Sequence, residues 1–212
     1  LRIGAQLLRG RAGASDAAQA YSQLARHSVT AMAQAAGREM ERRHGAAPGR
    51  WHVLGMGKLG GGELSADSDL DLIVVYEPEA EYSDGSQPLE APVWFTRFTQ
   101  RLVSALSAPT EEGALYPVDL ALRPSGSAGP VAVALKRFET YYRDEAWVWE
   151  RMAMTRASLV VSSGGDAAIS LAISDAVNAH ALSEAEVCAA AADMRSRLER
   201  DKPAASSWDL KL

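Results

Sequence analysis

Two apolar runs, residues 51–56 and 70–76, are separated by only thirteen residues, and those are mostly glycine and polar side chains. A crossover between parallel strands needs about a dozen or more residues, usually folded as a helix. The stretch 59–68, rich in glycine and serine, has no helical pattern. The reading is strand, glycine turn, short polar connection, second strand. The second run is headed by Asp69 and Asp71. Residues two apart on a strand project to one face, so both carboxylates point the same way. Leu70 and Leu72 then point to the other face, and Ile73, Val74 and Val75 continue a run apolar on both sides, as in a sheet covered on each face. Two carboxylates that close raise each other's pKa unless a cation sits between them. Mg²⁺, held by one or two carboxylates together with substrate phosphates, is the cation this donor set suits. Glycines just upstream let the backbone approach phosphate oxygens and offer N–H groups to them. The stretch therefore reads as a metal-dependent nucleotide site.

Competing motifs explain less. Gly55-Met-Gly57-Lys-Leu-Gly60 matches the dinucleotide fingerprint G-x-G-x-x-G, and Glu77 lies about twenty residues on. That fingerprint requires a helical crossover, whereas only residues 59–68, without a helical pattern, separate the turn from the aspartates; it also leaves Asp69 and Asp71 unexplained. A phosphate-binding Walker loop fails because Lys58 is followed by Leu59, where Ser or Thr is needed for Mg²⁺. There is no H-E-x-x-H and no G-x-S-x-G; His27, His44, His52 and His180 are scattered.

Composition removes other classes. The net charge of −5 and pI near 5.4 argue against a general nucleic-acid binder. A single cysteine, Cys188, excludes a disulfide framework and a cysteine-rich zinc site. No apolar run reaches membrane-spanning length and no signal peptide opens the chain, so no membrane partner and a cytoplasmic location are expected. Both ends read as cut from a longer protein: Leu1-Arg-Ile-Gly starts inside an element, and Trp208-Asp-Leu-Lys-Leu212 stops on an apolar–polar alternation.

Along the rest of the chain, a helix is expected from an N-cap at Ser15 to His44, with Tyr21, Leu24, Met32, Ala36 and Met40 as its stripe and Gly45 as its cap. Arg42, Arg43 and His44 suit the negative end of its dipole. Residues 77–92 read as an acidic loop, with Pro92 opening a helix whose buried face is Phe95, Phe98, Leu102, Ala105 and Leu106. A third strand is expected at 115–122, where Pro117 fits an edge or bulge. Asp119 inside that run needs a partner: an ion pair with Arg123 is one reading, a third carboxylate for the metal site the other. From about Val133 the pattern turns helical (Leu135, Phe138, Tyr142, Ala146, Trp149, Met152), and Ser183-Glu-Ala-Glu186 is a capping box for a last helix. The shift suggests a boundary near residue 132, with a domain of mixed strands and helices over 1–132 and a helical domain, incomplete at its end, over 133–212.

Gly57-Lys58, followed after ten residues by Asp69-Leu-Asp71 and later by Asp119, has the spacing of the polymerase-β-type nucleotidyltransferases, whose turn usually reads Gly-Ser. The longer string is more specific. Gly55-Met-Gly-Lys-Leu-Gly-Gly, Glu63-Leu, Ser68-Asp-Leu-Asp-Leu-Ile, Gly113-Ala-Leu-Tyr-Pro-Val-Asp119, Leu122-Arg-Pro-Ser-Gly126 and Glu145-Ala-Trp-Val-Trp-Glu150 resemble the glutamine synthetase adenylyltransferase family. Arg2-Ile-Gly-Ala-Gln-Leu-Leu and Trp208-Asp-Leu-Lys extend the likeness over nearly the whole chain. Members carry two such halves, one attaching AMP to a tyrosine of glutamine synthetase and one removing it by phosphorolysis. Ser125 and Arg156 resemble the attaching, C-terminal half; Phe and Lys are expected there in the removing half. Gly62 and Ala121 stand where an arginine is common in the family.

The resemblance implies an α+β fold, a small mixed sheet flanked by helices and followed by a helical domain. It implies Mg²⁺ on Asp69, Asp71 and Asp119, and ATP phosphates over Gly57, Lys58, Gly60 and Gly61, with Ser68 and Arg123 assisting. Glutamine synthetase would be the acceptor and a PII-type signal protein a partner of the full-length enzyme in nitrogen metabolism. The reverse, phosphate-dependent reaction, a small-molecule nucleotidyltransferase and a non-catalytic nucleotide sensor are the alternatives.

Overall fold

The structure is a computed structural model that describes residues 2–111, 113–178 and 183–201; the closing motif at Trp208 and His180 lie outside the described residues. At its centre are two antiparallel strands, β1 (Gly49–Gly55) and β2 (Leu70–Pro78), paired from Gly49↔Pro78 to Gly55↔Leu72. The antiparallel pairing confirms that the connection is no crossover, which excludes the dinucleotide fold. The outer edge of β2 carries two short parallel strands, β3 (Val118–Asp119) against Leu70 and Asp71, and β4 (Ala132–Ala134) against Val74, Val75 and Tyr76. β5 (Ser158–Ser162) runs antiparallel to β1 on the other side. The sheet is thus mixed and small, as expected.

Alternation along the two central strands feeds a separate core on each face. Trp51, Val53, Leu70, Leu72, Val74 and Tyr76 pack with α2 (Ala14–His44) and α4 (Ala91–Ser107). Leu54, Met56, Ile73 and Val75 pack with α5 (Leu135–Asp144) and α7 (Asp166–Asn178). The fully buried β2 run is therefore covered on both sides, as its sequence required. α1 (Arg2–Leu8) precedes this core, and α8 (Glu184–Asp201) follows it, opening on the Ser183–Glu186 box, in which Glu186 N–H donates to Ser183 Oγ at 3.3 Å. Among the described residues no helix is long and apolar enough to cross a membrane.

Several local expectations are corrected. The N-cap of α2 is Gly13, not Ser15; Gly13 N–H donates to Asp16 Oδ2 at 3.0 Å, so the acid in the first turn does the capping. Its buried stripe is Ala17, Ala25, Val29, Ala33, Ala36 and Met40, while Leu24 is exposed. Small side chains, which carry little hydropathy signal, form that seam and let α2 approach the sheet. α4 begins at Ala91, with Trp94 buried beside the expected face. The third strand is only two residues long. The pattern beyond residue 133 is not purely helical: β4 and β5 join the sheet, and the apolar stripe breaks because α5 ends at Asp144 and α6 (Val148–Met154) restarts in its own phase. On α6 the buried residues are Glu150, Arg151 and Met154; Glu150 is satisfied by the Tyr141 hydroxyl at 2.6 Å and by Trp147 N–H at 2.8 Å.

Midway along β1, His52 is fully buried, with Nε2 donating to Glu77 Oε1 at 3.1 Å and Nδ1 3.0 Å from Ser162 Oγ of β5. Burial lowers its pKa below the usual 6.5, outweighing the opposing pull of Glu77. The unfolded chain then binds a proton below about pH 6.5 that the folded chain refuses, so stability present above that value is lost on acidification. Thermal unfolding between pH 7.5 and pH 5 should show a steeper loss for the wild type than for His52→Asn. Parallel curves would contradict this account of His52.

Candidate metal and nucleotide site

Three pieces of chain meet at one end of the sheet. β1 ends at Gly55, and Met56 N–H donates to Asp71 O at 2.9 Å, bringing the glycine turn beside the start of β2. Leu70 N–H donates to Pro117 O at 2.9 Å, which docks β3 on the other side. Asp71 and Asp119 are register partners in that parallel pair, so their side chains share a face, and Asp69 shares it by the two-residue period. One oxygen from each of Asp69, Asp71 and Asp119 lies within 4.8 Å of the others. Asp119 and Arg123 form no ion pair; of the two readings of Asp119, the structure places it with the carboxylates.

The cluster carries uncompensated like charge. Asp71 is half-buried and its carboxyl is pushed above the usual 3.8, first by desolvation, then by Asp69 and Asp119, with Lys58 pulling the other way. An all-carboxylate set of hard oxygen donors gathered this closely fits a divalent cation such as Mg²⁺. Asp119 Oδ1 accepts Ala121 N–H at 2.6 Å, which orients the side chain and leaves Oδ2 with no hydrogen-bond donor among the described residues.

The turn itself is a one-turn helix, α3 (Gly57–Gly61). Gly57 sits at φ +50°, and a Cβ there would stand 2.6 Å from Asp71 Oδ2; only glycine lets the turn lie against the carboxylate. Lys58 is exposed on α3 near enough for its charge to act on Asp71. The N–H groups at the start of α3 lack helical partners, as in any first turn. Gly60 is placed differently from a phosphate contact: its N–H donates to Met56 O at 2.9 Å, and a Cβ would collide with the main-chain carbonyl of Arg156. Ser68 is buried; its Oγ accepts Ser65 N–H at 3.1 Å, closing the turn that delivers Asp69. Arg123 is also buried. Its Nη1 donates to Leu120 O at 2.6 Å, Nη2 to Gly129 O at 3.2 Å, and Nε to Pro130 O at 3.1 Å, so the side chain braces the loop after β3.

A family model described as glutamate-ammonia ligase adenylyltransferase matches residues 1–176. The chain belongs to the glutamate-ammonia ligase adenylyltransferase family. Bifunctional glutamine synthetase adenylyltransferase/adenylyl-removing enzymes from Mesorhizobium japonicum and Agrobacterium fabrum are each 47% identical to it, over 99% of this chain. The counterpart from Caulobacter vibrioides is 44% identical over 100% of the chain. The chain spans 22% of the length of each of these relatives.

Within this adenylyltransferase-family chain, reasoning from motifs missed Ser22 and the structural role of Glu63, both of which hold the site. Ser22 of α2 accepts Leu64 N–H at 3.0 Å and pins the connection between turn and strand. Glu63 pairs with Arg156 across the turn. The adjacent Gly60 and Gly61 were the available signal, since paired glycines mark a close approach whose partner a sequence does not name.

Burial and like-charge crowding of Asp71 together have a stability consequence. Its raised pKa means that folding takes up a proton between pH 3.8 and the raised value. Stability of the metal-free protein therefore falls as pH rises through that window and stays lower above it. Metal-free Asp71→Asn should melt at a higher temperature than wild type at pH 7, with the gap closing as pH approaches 3.8. Added Mg²⁺ should raise the melting temperature of wild type more than that of the variant. Identical melting at pH 7 without metal would contradict the crowding.

Proposed function

We propose that this chain transfers AMP from Mg²⁺-ATP to a tyrosine hydroxyl of glutamine synthetase, releasing pyrophosphate. The observation that carries the reading is the meeting of Asp69, Asp71 and Asp119 beside the turn at Gly57. The names of the relatives support the choice of acceptor, and the likeness of Leu122-Arg-Pro-Ser-Gly126 and Arg156 to the attaching half supports the direction.

In the proposed reaction the tyrosine oxygen attacks the α-phosphorus, the bond from that phosphorus to the bridging oxygen breaks, and pyrophosphate leaves in line. A tyrosine hydroxyl, with a pKa near 10, is a weak nucleophile at neutral pH. Magnesium would supply charge neutralisation to the attacking and leaving oxygens. The three carboxylates would hold it, Asp71 from the more enclosed position and Asp119 from the exposed rim, where its Oδ2 is available to the incoming hydroxyl proton or to metal. Lys58 would meet the negative charge of the triphosphate from the turn. Catalysis of this kind comes from positioning and electrostatics. In the whole enzyme, a PII-type signal protein would set how often the site is used.

The test is incorporation of α-labelled AMP into glutamine synthetase by the full-length enzyme. Asp71→Asn and Asp119→Asn should each fold and lose about three orders of magnitude in turnover, the scale of several kcal/mol of charge stabilisation. Near-normal transfer by Asp71→Asn would overturn the assignment. AMP appearing on a small acceptor and not on protein would favour a small-molecule enzyme. Release of ADP from adenylylated substrate and phosphate, with no forward transfer, would reverse the direction.

A further inference from the structure

The connection between α6 and β5 lies directly on the glycine turn. The main-chain carbonyl of Arg156 fills the space a Cβ on Gly60 would take, and Arg156 Nη2 lies 2.8 Å from the position of a Cβ on Gly61. Arg156 Nε–H donates to Gly57 O at 3.1 Å, and Nη2 donates to Glu63 Oε2. One guanidinium thus spans both ends of the turn, bonding the carbonyl of the residue that abuts Asp71 and the side chain of the residue that leaves α3. Gly60 and Gly61 are bare where Arg156 passes.

The turn needs an external hold. α3 is a single turn reading Gly-Lys-Leu-Gly-Gly, followed by Gly62. Glycine has the largest backbone freedom to lose on ordering, and an isolated single turn does not sustain itself. Leu59 and Leu64 anchor the segment from below, in the core. Its upper face has Arg156, whose side chain is 43% exposed and so contributes little by burial.

We propose that Arg156 is a positioning residue for the nucleotide site: by bonding Gly57 O and Glu63 together it fixes the turn in the shape that receives the triphosphate beside Asp71. This rests on the reading of the site given under Proposed function. The guanidinium fork is what the task requires, because it reaches two acceptors in fixed geometry, whereas a lysine ammonium is a point charge on a flexible stem.

In the full-length enzyme, Arg156→Gln should speed amide exchange in the peptide covering residues 57–62 about tenfold or more, with exchange in β1 and β2 unchanged, as expected on losing charge-assisted hydrogen bonds. KM for Mg²⁺-ATP should rise about tenfold while KM for the acceptor protein stays constant. Arg156→Lys should not restore either value. Gly61→Ala, whose methyl displaces the guanidinium, should reproduce the Arg156→Gln effect on exchange and add little to it in the double variant. Unchanged exchange in Arg156→Gln, restoration by Arg156→Lys, or additive effects of the Gly61 and Arg156 changes would each overturn the proposal. If no AMP transfer is found for the wild type, the function reading fails while the exchange measurements still decide whether Arg156 holds the turn.

Discussion

Oxygens of three carboxylates within 4.8 Å of one another repel, and the structure depends on what keeps them there. The hold comes from main-chain ladders, not from the side chains. β2 is paired with β1 on one edge and with β3 on the other, and the register Asp71↔Asp119 sets two acids side by side. A one-residue slip of β3 would carry Asp119 to the other face. The fully buried run Leu72, Ile73, Val74 and Val75 makes a slip of β2 equally costly, since Leu72 and Val74 belong to one core and Ile73 and Val75 to the other. Hydrophobic burial behind the site thereby holds like charges together in front of it, a repulsion that a bound cation would relieve.

The glycines around the site answer to different neighbours. Gly57 is bare because Asp71 is beside it, Gly60 because the Arg156 backbone crosses it, and Gly61 because the Arg156 side chain does. A motif that looks like one device for gripping phosphate is a junction where three distant segments close on one another. Ser22 from α2 and Arg156 from the approach to β5 complete that junction. The turn so held lies against Asp71 and leaves Lys58 exposed to solvent.

Much of this was legible from residues 49–78. The period-two placement of Asp69 and Asp71, the doubly buried strand and the lack of room for a crossover follow from spacing alone, and each corresponds to a paired strand or a packed face in the structure. From its own segment Asp119 was legible only as a charge inside an apolar run, and it joined the metal site through the family resemblance, because sequence does not report register between strands far apart in the chain. Arg123 illustrates the opposite limit. A cation near a proposed phosphate site invites a binding role, yet its guanidinium is bonded to the carbonyls of Leu120, Gly129 and Pro130. β5 was hidden because Ser158-Leu-Val-Val-Ser162 is short and follows a helical stretch, and the alanine seam of α2 because small residues barely register in hydropathy.

The most direct measurement is a crystal structure of the chain with Mn²⁺ and a non-hydrolysable ATP analogue, with the metal located by its anomalous scattering. The account predicts metal about 2.1 Å from carboxylate oxygens of both Asp71 and Asp119, with the analogue's phosphates at the Gly57 turn. Metal bound elsewhere, or coordinated without Asp119, would contradict it.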